Sequence, residues 1–199
     1  MTFGQTGTIP YFCAIHPGMQ GVVKVVEKGE DYTTIEEASA VAQQESDTVL
    51  ALVNEVKAQG SAGFSQSAQE NGSSLWTVPV GSLTNSPLGP LEITEYFPAE
   101  LRVKAGDTVL WKAATPHTVT FLSGQELPMP ESGDPTQIPI ARPSDSYTGQ
   151  GLYHSGTFAL GPGALTEFQL TFPQPGTYQY TCALHGPMGH NGVIIVEPG

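Results

Sequence analysis

The chain has 199 residues, and its 7 basic and 19 acidic side chains give a formal net charge of -12. Nucleic-acid binding needs a basic face, and anionic lipid repels an acidic protein, so the charge argues against both partners. No run of 18 apolar residues occurs, so no transmembrane span is predicted. Charged residues make up only 13%, beside 23 Gly and 17 Pro, which is typical of turn-rich β structure.

The first predicted elements are two short strands around a loop that carries Cys13, His16 and Met19. The second strand, residues 21–26, is rich in β-branched side chains. The first residues lack a basic start and an apolar core, so we expect no signal peptide in this chain.

A helix is predicted over residues 34–59. Thr33 and Thr34 supply hydroxyl caps ahead of Glu36 and Glu37, and apolar residues recur at helical spacing after them. A second cap near Ser46 predicts a break in this helix. Residues 60–75 are rich in Ser, Gly and Gln, which predicts a flexible linker.

Short strands are predicted through the rest of the chain. Alternation places Phe168, Leu170 and Phe172 on one inward face. The long segment 123–156 is rich in Pro, Gly and Ser and is predicted to be a loop, which either covers a site, contacts a partner or forms a solvated insertion. The predicted strands are 76–80, 91–97, 100–104, 107–113, 117–122, 157–160, 165–172, 177–182 and 192–197.

The C-terminal strand leads into a group of metal-ligand types. Tyr178, Tyr180 and Cys182 alternate with polar residues, so they share one face, and His185 and Met188 follow in a short loop. His117 lies at the start of a distant predicted strand. Two imidazoles and a thiolate with a weak axial thioether form the blue-copper electron-transfer arrangement. We therefore expect a copper site between two edges of a sandwich.

These segments resemble the cupredoxins, the small blue copper proteins of the plastocyanin and amicyanin group. The resemblance rests on Gly106-Asp-Thr-Val109 with Trp111, on Pro116-His117, and on Pro175-Gly-Thr-Tyr-x-Tyr-x-Cys182-x-x-His185-x-x-Met188. It implies an all-β, Greek-key β-sandwich over residues 76–199. One copper would be held by equatorial His117, Cys182 and His185 and axial Met188.

Four further positions qualify this resemblance. Thr118 stands where Asn is frequent in the family and Ala183 where Ser or Thr is frequent, so the hydrogen bonds around the ligands are open. We expect His190 to be a solvated turn residue, with an adventitious surface ligand as the alternative. His154 is expected in a loop near a strand start.

The copper-loop motif occurs twice. Residues 2–19 and 171–188 match at a constant offset of 169, with ten of eighteen positions identical. Residues 1–26 thus resemble the last hairpin of another cupredoxin domain, followed by a helix and linker over 27–75. We favour truncation of a two-domain protein over a domain-swapped hairpin, because an isolated hairpin is marginal in water. Cys13, His16 and Met19 would then form an incomplete second copper site.

The resemblance implies a non-enzymatic one-electron carrier, periplasmic, extracellular or at the cell surface in the full-length protein. The acidic net charge of the chain favours redox partner proteins with a basic docking patch. One alternative is a domain of a copper nitrite reductase or multicopper oxidase, although the chain has no His-x-His pair and no His beside Cys182. Another is copper delivery, although four Met residues are few for it. A disulfide between Cys13 and Cys182 is a further alternative to two copper thiolates.

Overall fold

The computed structural model of the protein describes residues 2–13 and 19–199. The chain forms two compact units, one of Met1–Asn54 and Leu83–Leu91, the other of Glu55–Ser82 and Glu92–Gly199. In the described part of the chain, no helix is long and apolar enough to cross a membrane.

The N-terminal hairpin consists of β1 (Gly7–Phe12) and β2 (Gln20–Val25), which pair antiparallel. Helix α1 (Ile35–Ala62) follows. The Thr34 N–H donates to the Glu37 carboxylate at 2.9 Å, and the Glu37 N–H donates to Thr34 Oγ1 at 3.2 Å, so a capping box starts the helix as predicted. The predicted break near Ser46 is wrong, because the helix is continuous through this position.

Ten more strands form two five-stranded sheets. One sheet has the order β10-β7-β4-β3 with β5 also on β4, and the other has the order β6-β12-β11-β8-β9. The β4–β7 and β12–β6 pairs are parallel, and the other pairs with a described register are antiparallel. The strands are β3 (Ser65–Ala68), β4 (Ser74–Ser86), β5 (Gly89–Tyr96), β6 (Glu100–Lys104), β7 (Thr108–Ala113), β8 (Thr120–Phe121), β9 (Tyr153–His154), β10 (Glu167–Thr171), β11 (Gly176–Thr181) and β12 (Asn191–Glu197).

The core of the sandwich is aromatic. Phe168, Leu170 and Phe172 are buried as their alternation predicted. The Trp111 ring lies between the sheets, with ring centroids 5.9 Å from Phe121 and within about 6.4 Å of the other aromatic rings around it. The all-β sandwich predicted from the sequence is confirmed.

Three local predictions are wrong. Residues Ser65–Ala68, predicted as linker, form β3 by pairing with β4. Residues 157–160 form a turn rather than a strand, with Ala159 at φ 50°. Segment 123–156 is not one loop, because it contains β9, and it is not wholly solvated, because Tyr147 and Tyr153 join the core from it.

Candidate metal centre

Strand β11 delivers Cys182 to the buried face of the sandwich. Tyr178 and Tyr180 point into the core from this strand, and alternation carries the next inward position to Cys182, just past its end. The Cys182 side chain is fully buried and carries a free thiol. The sequence prediction that this face is the core face is correct.

His117 reaches the same place from the segment between β7 and β8. Its carbonyl accepts a hydrogen bond from the Phe158 N–H at 2.8 Å, which holds this non-strand segment in place. Gly81 lies against the imidazole ring, and a side chain at this position would collide with His117 Nε2. The close approach therefore requires glycine, which also sits at φ +74°.

The donor atoms of the candidate ligands converge. His117 Nδ1 lies 3.1 Å from His185 Nδ1, and Cys182 Sγ lies 3.9 Å and 3.7 Å from these two nitrogens. Metal bonds of about 2.0 Å to nitrogen and 2.3 Å to sulfur would put donors around one ion roughly 3.3 to 3.6 Å apart. The spacing of these side chains therefore fits a single metal ion.

The outer nitrogen of His117 has a carboxylate partner. His117 Nε2 lies 2.9 Å from Glu92 Oε1 on β5. Burial opposes protonation of His117, but Cys182 and Glu92 outweigh it and raise the pKa of the imidazole. A carboxylate on the far nitrogen fixes the ring so that Nδ1 faces the cluster.

The thiol of Cys182 is strongly acidified. Burial opposes its ionisation, but hydrogen bonding with His117, His185 and His190 outweighs burial and lowers the pKa of Cys182 to about 3. The Thr118 N–H also donates to Sγ at 3.4 Å. The cysteine is therefore a thiolate at neutral pH, which is the form that binds metals.

Thr118 joins the two segments that carry the ligands. Its Oγ1 accepts a hydrogen bond from the Ala183 N–H at 2.7 Å, and its carbonyl accepts one from the Tyr96 hydroxyl at 2.6 Å. Thr118 Oγ1 also lies 3.0 Å from Thr120 Oγ1, which in turn contacts His154 Nδ1 at 2.8 Å. The hydroxyl of Thr118 thus supplies one of the hydrogen bonds around the ligands that the sequence alone did not determine.

Comparison with known proteins identifies the family of this chain. Residues 92–197, more than half of the chain, match the family model described as copper binding proteins, plastocyanin/azurin family. The chain belongs to this family. Similar solved structures include an amicyanin variant with Cu(I), at 25% identity and TM-score 0.37, covering 62% of this chain and 82% of that one. A mutant plastocyanin of fern has 18% identity and TM-score 0.36, covering 61% and 99%.

The cofactor of this plastocyanin/azurin-family protein is copper. A buried group of donor atoms, all within 4.8 Å of one another, comprises His117, Cys182, His185 and His190. Thiolate and imidazole together suit copper. These four donors therefore fit copper, the metal that the family binds.

His190 and Met188 lie differently from what the sequence predicted. The expectation of a solvated His190 is wrong, because its side chain is fully buried. Met188 lies in a 3₁₀ turn, Gly186–Met188, and is 65% exposed. Its axial role, proposed from the resemblance, stays a prediction. His154, expected in a loop, lies on β9 and is buried.

The N-terminal copy of the repeated motif, residues 2–19, is described only in part. The Cys13 N–H donates to the Met19 carbonyl at 2.8 Å, which closes the base of the β1–β2 loop. Met19 is 60% exposed. His16 lies outside the described residues, so an incomplete second copper site at Cys13, His16 and Met19 stays a prediction.

Proposed function

We propose that the protein is a non-enzymatic one-electron carrier whose copper is held by Cys182, His117 and His185. Bound copper would supply a Cu(II)/Cu(I) couple. The observation that carries the proposal is the closed, preformed donor cluster. Its side chains are 0 to 8% exposed, so the site has no opening for a substrate, whereas a catalytic metal keeps an open position.

The surrounding residues restrain the donors. Glu92 orients the His117 ring, and Thr118 connects the His117 segment to the loop after Cys182 through the Ala183 N–H. Donors that are already in place move little when the charge of the site changes. A small rearrangement of the ligands between the two oxidation states favours fast electron transfer. These hydrogen bonds would therefore serve electron transfer as well as stability.

His185 is the natural route for the electron. It is 8% exposed, whereas the other three members of the donor cluster are fully buried. A redox partner that docks over this edge would come closest to the site through the imidazole ring. The net charge of -12 favours a partner with a basic docking patch, with association that weakens as salt rises. We also propose a periplasmic, extracellular or cell-surface location for the full-length protein.

A copper-loaded sample tests the proposal. We expect an intense thiolate-to-copper absorption band in the Cu(II) form and reversible one-electron reduction, without turnover of nitrite, oxygen or phenols. Cys182→Ser is the matched control, since it removes the thiolate and must abolish the band. Absence of the band in the unmodified protein refutes thiolate ligation, and steady turnover of any of those substrates refutes the carrier function.

A further inference from the structure

His190 is the cross-strand neighbour of Cys182. Strand β11 pairs with β12 so that Thr181 lies opposite Asn191. The next pair is Cys182 and His190, since the Cys182 N–H donates to the His190 carbonyl at 3.0 Å. Directly opposite side chains leave the same face of a sheet with Cβ atoms about 4.5 to 5.5 Å apart. The backbone therefore puts the His190 side chain beside the thiolate.

The ring of His190 is buried beside the thiolate. Neither ring nitrogen has a partner that meets hydrogen-bond distance and angle among the described residues, although both are buried. The imidazole does interact with Cys182 Sγ and helps to lower the pKa of that thiol. The ring centroid lies 4.8 Å from that of His117 and 4.2 Å from that of Tyr96. Buried polar groups almost always have a partner, so an imidazole whose nitrogens lack a well-formed hydrogen bond and lie among metal-binding donors is placed to bind the same ion.

Met188 does not occupy this position. The Met188 N–H donates to the His185 carbonyl at 3.0 Å, and Gly189 follows at φ 97°, so the chain turns between Met188 and His190. The thioether is left 65% exposed while the imidazole two residues later is fully buried. Of the two candidates for a fourth donor, the imidazole is the one that faces the thiolate.

The N-terminal hairpin provides an internal comparison. There the residue paired with Cys13 is Met19, the counterpart of Met188. The flanking pairs are equivalent in both hairpins, with Gly21 opposite Tyr11 and Gly192 opposite Tyr180. The C-terminal loop has two additional residues after its methionine, Gly189 and His190. This insertion moves the methionine out of the cross-strand position and puts a histidine there.

We infer that His190 is the fourth copper ligand, so that three imidazoles and one thiolate hold the ion and Met188 lies outside the site. The inference rests on the proposed copper site and identifies its last donor. A thioether is a soft ligand that suits Cu(I), whereas imidazole also suits Cu(II). The histidine should therefore stabilise the oxidised state relative to a site with a methionine.

The test counts the copper-bound imidazole nitrogens of the Cu(II) protein by electron–nuclear double resonance. We expect three in the unmodified protein, three in Met188→Leu and two in His190→Met. The last variant should also raise the ratio of Cu(I) to Cu(II) affinity about tenfold or more, and a tenfold change equals about 59 mV for one electron. Met188→Leu should leave the reduction potential unchanged.

A loop deletion provides a second, independent variant. Removing Gly189 and His190 gives the C-terminal loop the length of the N-terminal one and should put Met188 opposite Cys182. We expect this variant to have two bound nitrogens and a potential shifted in the same direction as that of His190→Met. Unchanged nitrogen count and potential in a folded deletion variant would contradict the inference.

Failure of the inference differs from failure of the proposed function. Two bound nitrogens in the unmodified protein, together with a spectrum altered by Met188→Leu, would overturn the role of His190 and leave the electron carrier intact. Because Met188 is exposed, this variant remains informative even if changes at the buried His190 prevent folding. Three bound nitrogens without reversible reduction would instead support the ligand set and refute the carrier.

Discussion

Replacing Thr118 with valine tests the hydrogen bond that joins the two ligand segments. Valine keeps the branched shape of the buried side chain but removes Oγ1, which accepts from the Ala183 N–H at 2.7 Å. The Ala183 N–H would then lack its acceptor. Valine also removes the 3.0 Å contact with Thr120 Oγ1, but the Thr120 hydroxyl keeps its contact with His154 Nδ1 at 2.8 Å, so the Ala183 N–H is the main group left unpaired.

The expected cost is the desolvation of one unpaired main-chain donor, about 1 to 3 kcal/mol. Ala183 is only partly buried, so water offsets some of this cost and the lower half of the range, about 1 to 2 kcal/mol, is expected. For a chain of this size each kcal/mol lowers the midpoint of thermal unfolding by roughly 2 to 4 °C, so the midpoint should fall by about 2 to 8 °C.

Urea and thermal unfolding of the metal-free protein measure this effect, and Thr118→Ser is the matched control because it retains the hydroxyl. The free energy of unfolding of the serine variant should lie close to that of the unmodified protein, because serine keeps the hydrogen bond from the Ala183 N–H. If packing of the methyl group were the cause instead, Thr118→Ser would be destabilised and Thr118→Val would not. If Thr118→Val unfolds within about 0.5 kcal/mol of the unmodified protein, the range of an ordinary surface substitution, the reasoning is refuted.

Three other changes have defined outcomes. Glu92→Gln removes the charged partner of His117 Nε2 and should weaken copper retention roughly 10- to 100-fold in a chelator competition, while unchanged retention would show that the carboxylate does not orient the ring. Asp107→Ala removes a carboxylate that accepts three hydrogen bonds and should lower the free energy of unfolding by about 2 to 4 kcal/mol in urea, whereas a loss below about 1 kcal/mol would contradict this. Hydrogen bonds from the Thr34 N–H and hydroxyl lower the pKa of Glu37, so its contribution to the helix should be present at neutral pH and lost as the pH falls through that lowered pKa. Circular dichroism should show this loss of helix, and Glu37→Gln should make it smaller; equal pH dependence in both proteins would exclude Glu37 as the cause.

The sandwich was predictable because strand periodicity is encoded locally. Phe168, Leu170 and Phe172 alternate with polar residues, and such a pattern can bury only one face. The same alternation led from Tyr180 to Cys182. Where side chains alone determine the buried face, the sequence was sufficient.

Elements held by backbone pairing were not predictable in this way. Strand β3 has four exposed residues and no apolar alternation, so it exists because β4 supplies hydrogen-bond partners. The reverse holds near Phe158, where a strand was predicted over residues 157–160. Its N–H donates to the His117 carbonyl and the Ala159 N–H donates to Leu165, so no ladder forms there.

The prediction for His190 failed because it placed this residue in the turn that follows Met188. A signal was present in the repeat: the glycine that starts the paired strand follows Met19 by two residues but follows Met188 by four. Since Gly21 and Gly192 both lie against tyrosines, they mark equivalent ladder positions. Alignment on these glycines, rather than on the methionines, would have placed His190 opposite the cysteine.

The ladder between β11 and β12 separates two properties that would otherwise both depend on one loop. Strand pairing alone determines which residue faces the cysteine, namely the one that precedes Asn191. The length and composition of the turn before it are then free to change, and with them the surface next to His185. In the proposed carrier, the docking surface and the metal donor can therefore change independently, through neighbouring residues of one short loop.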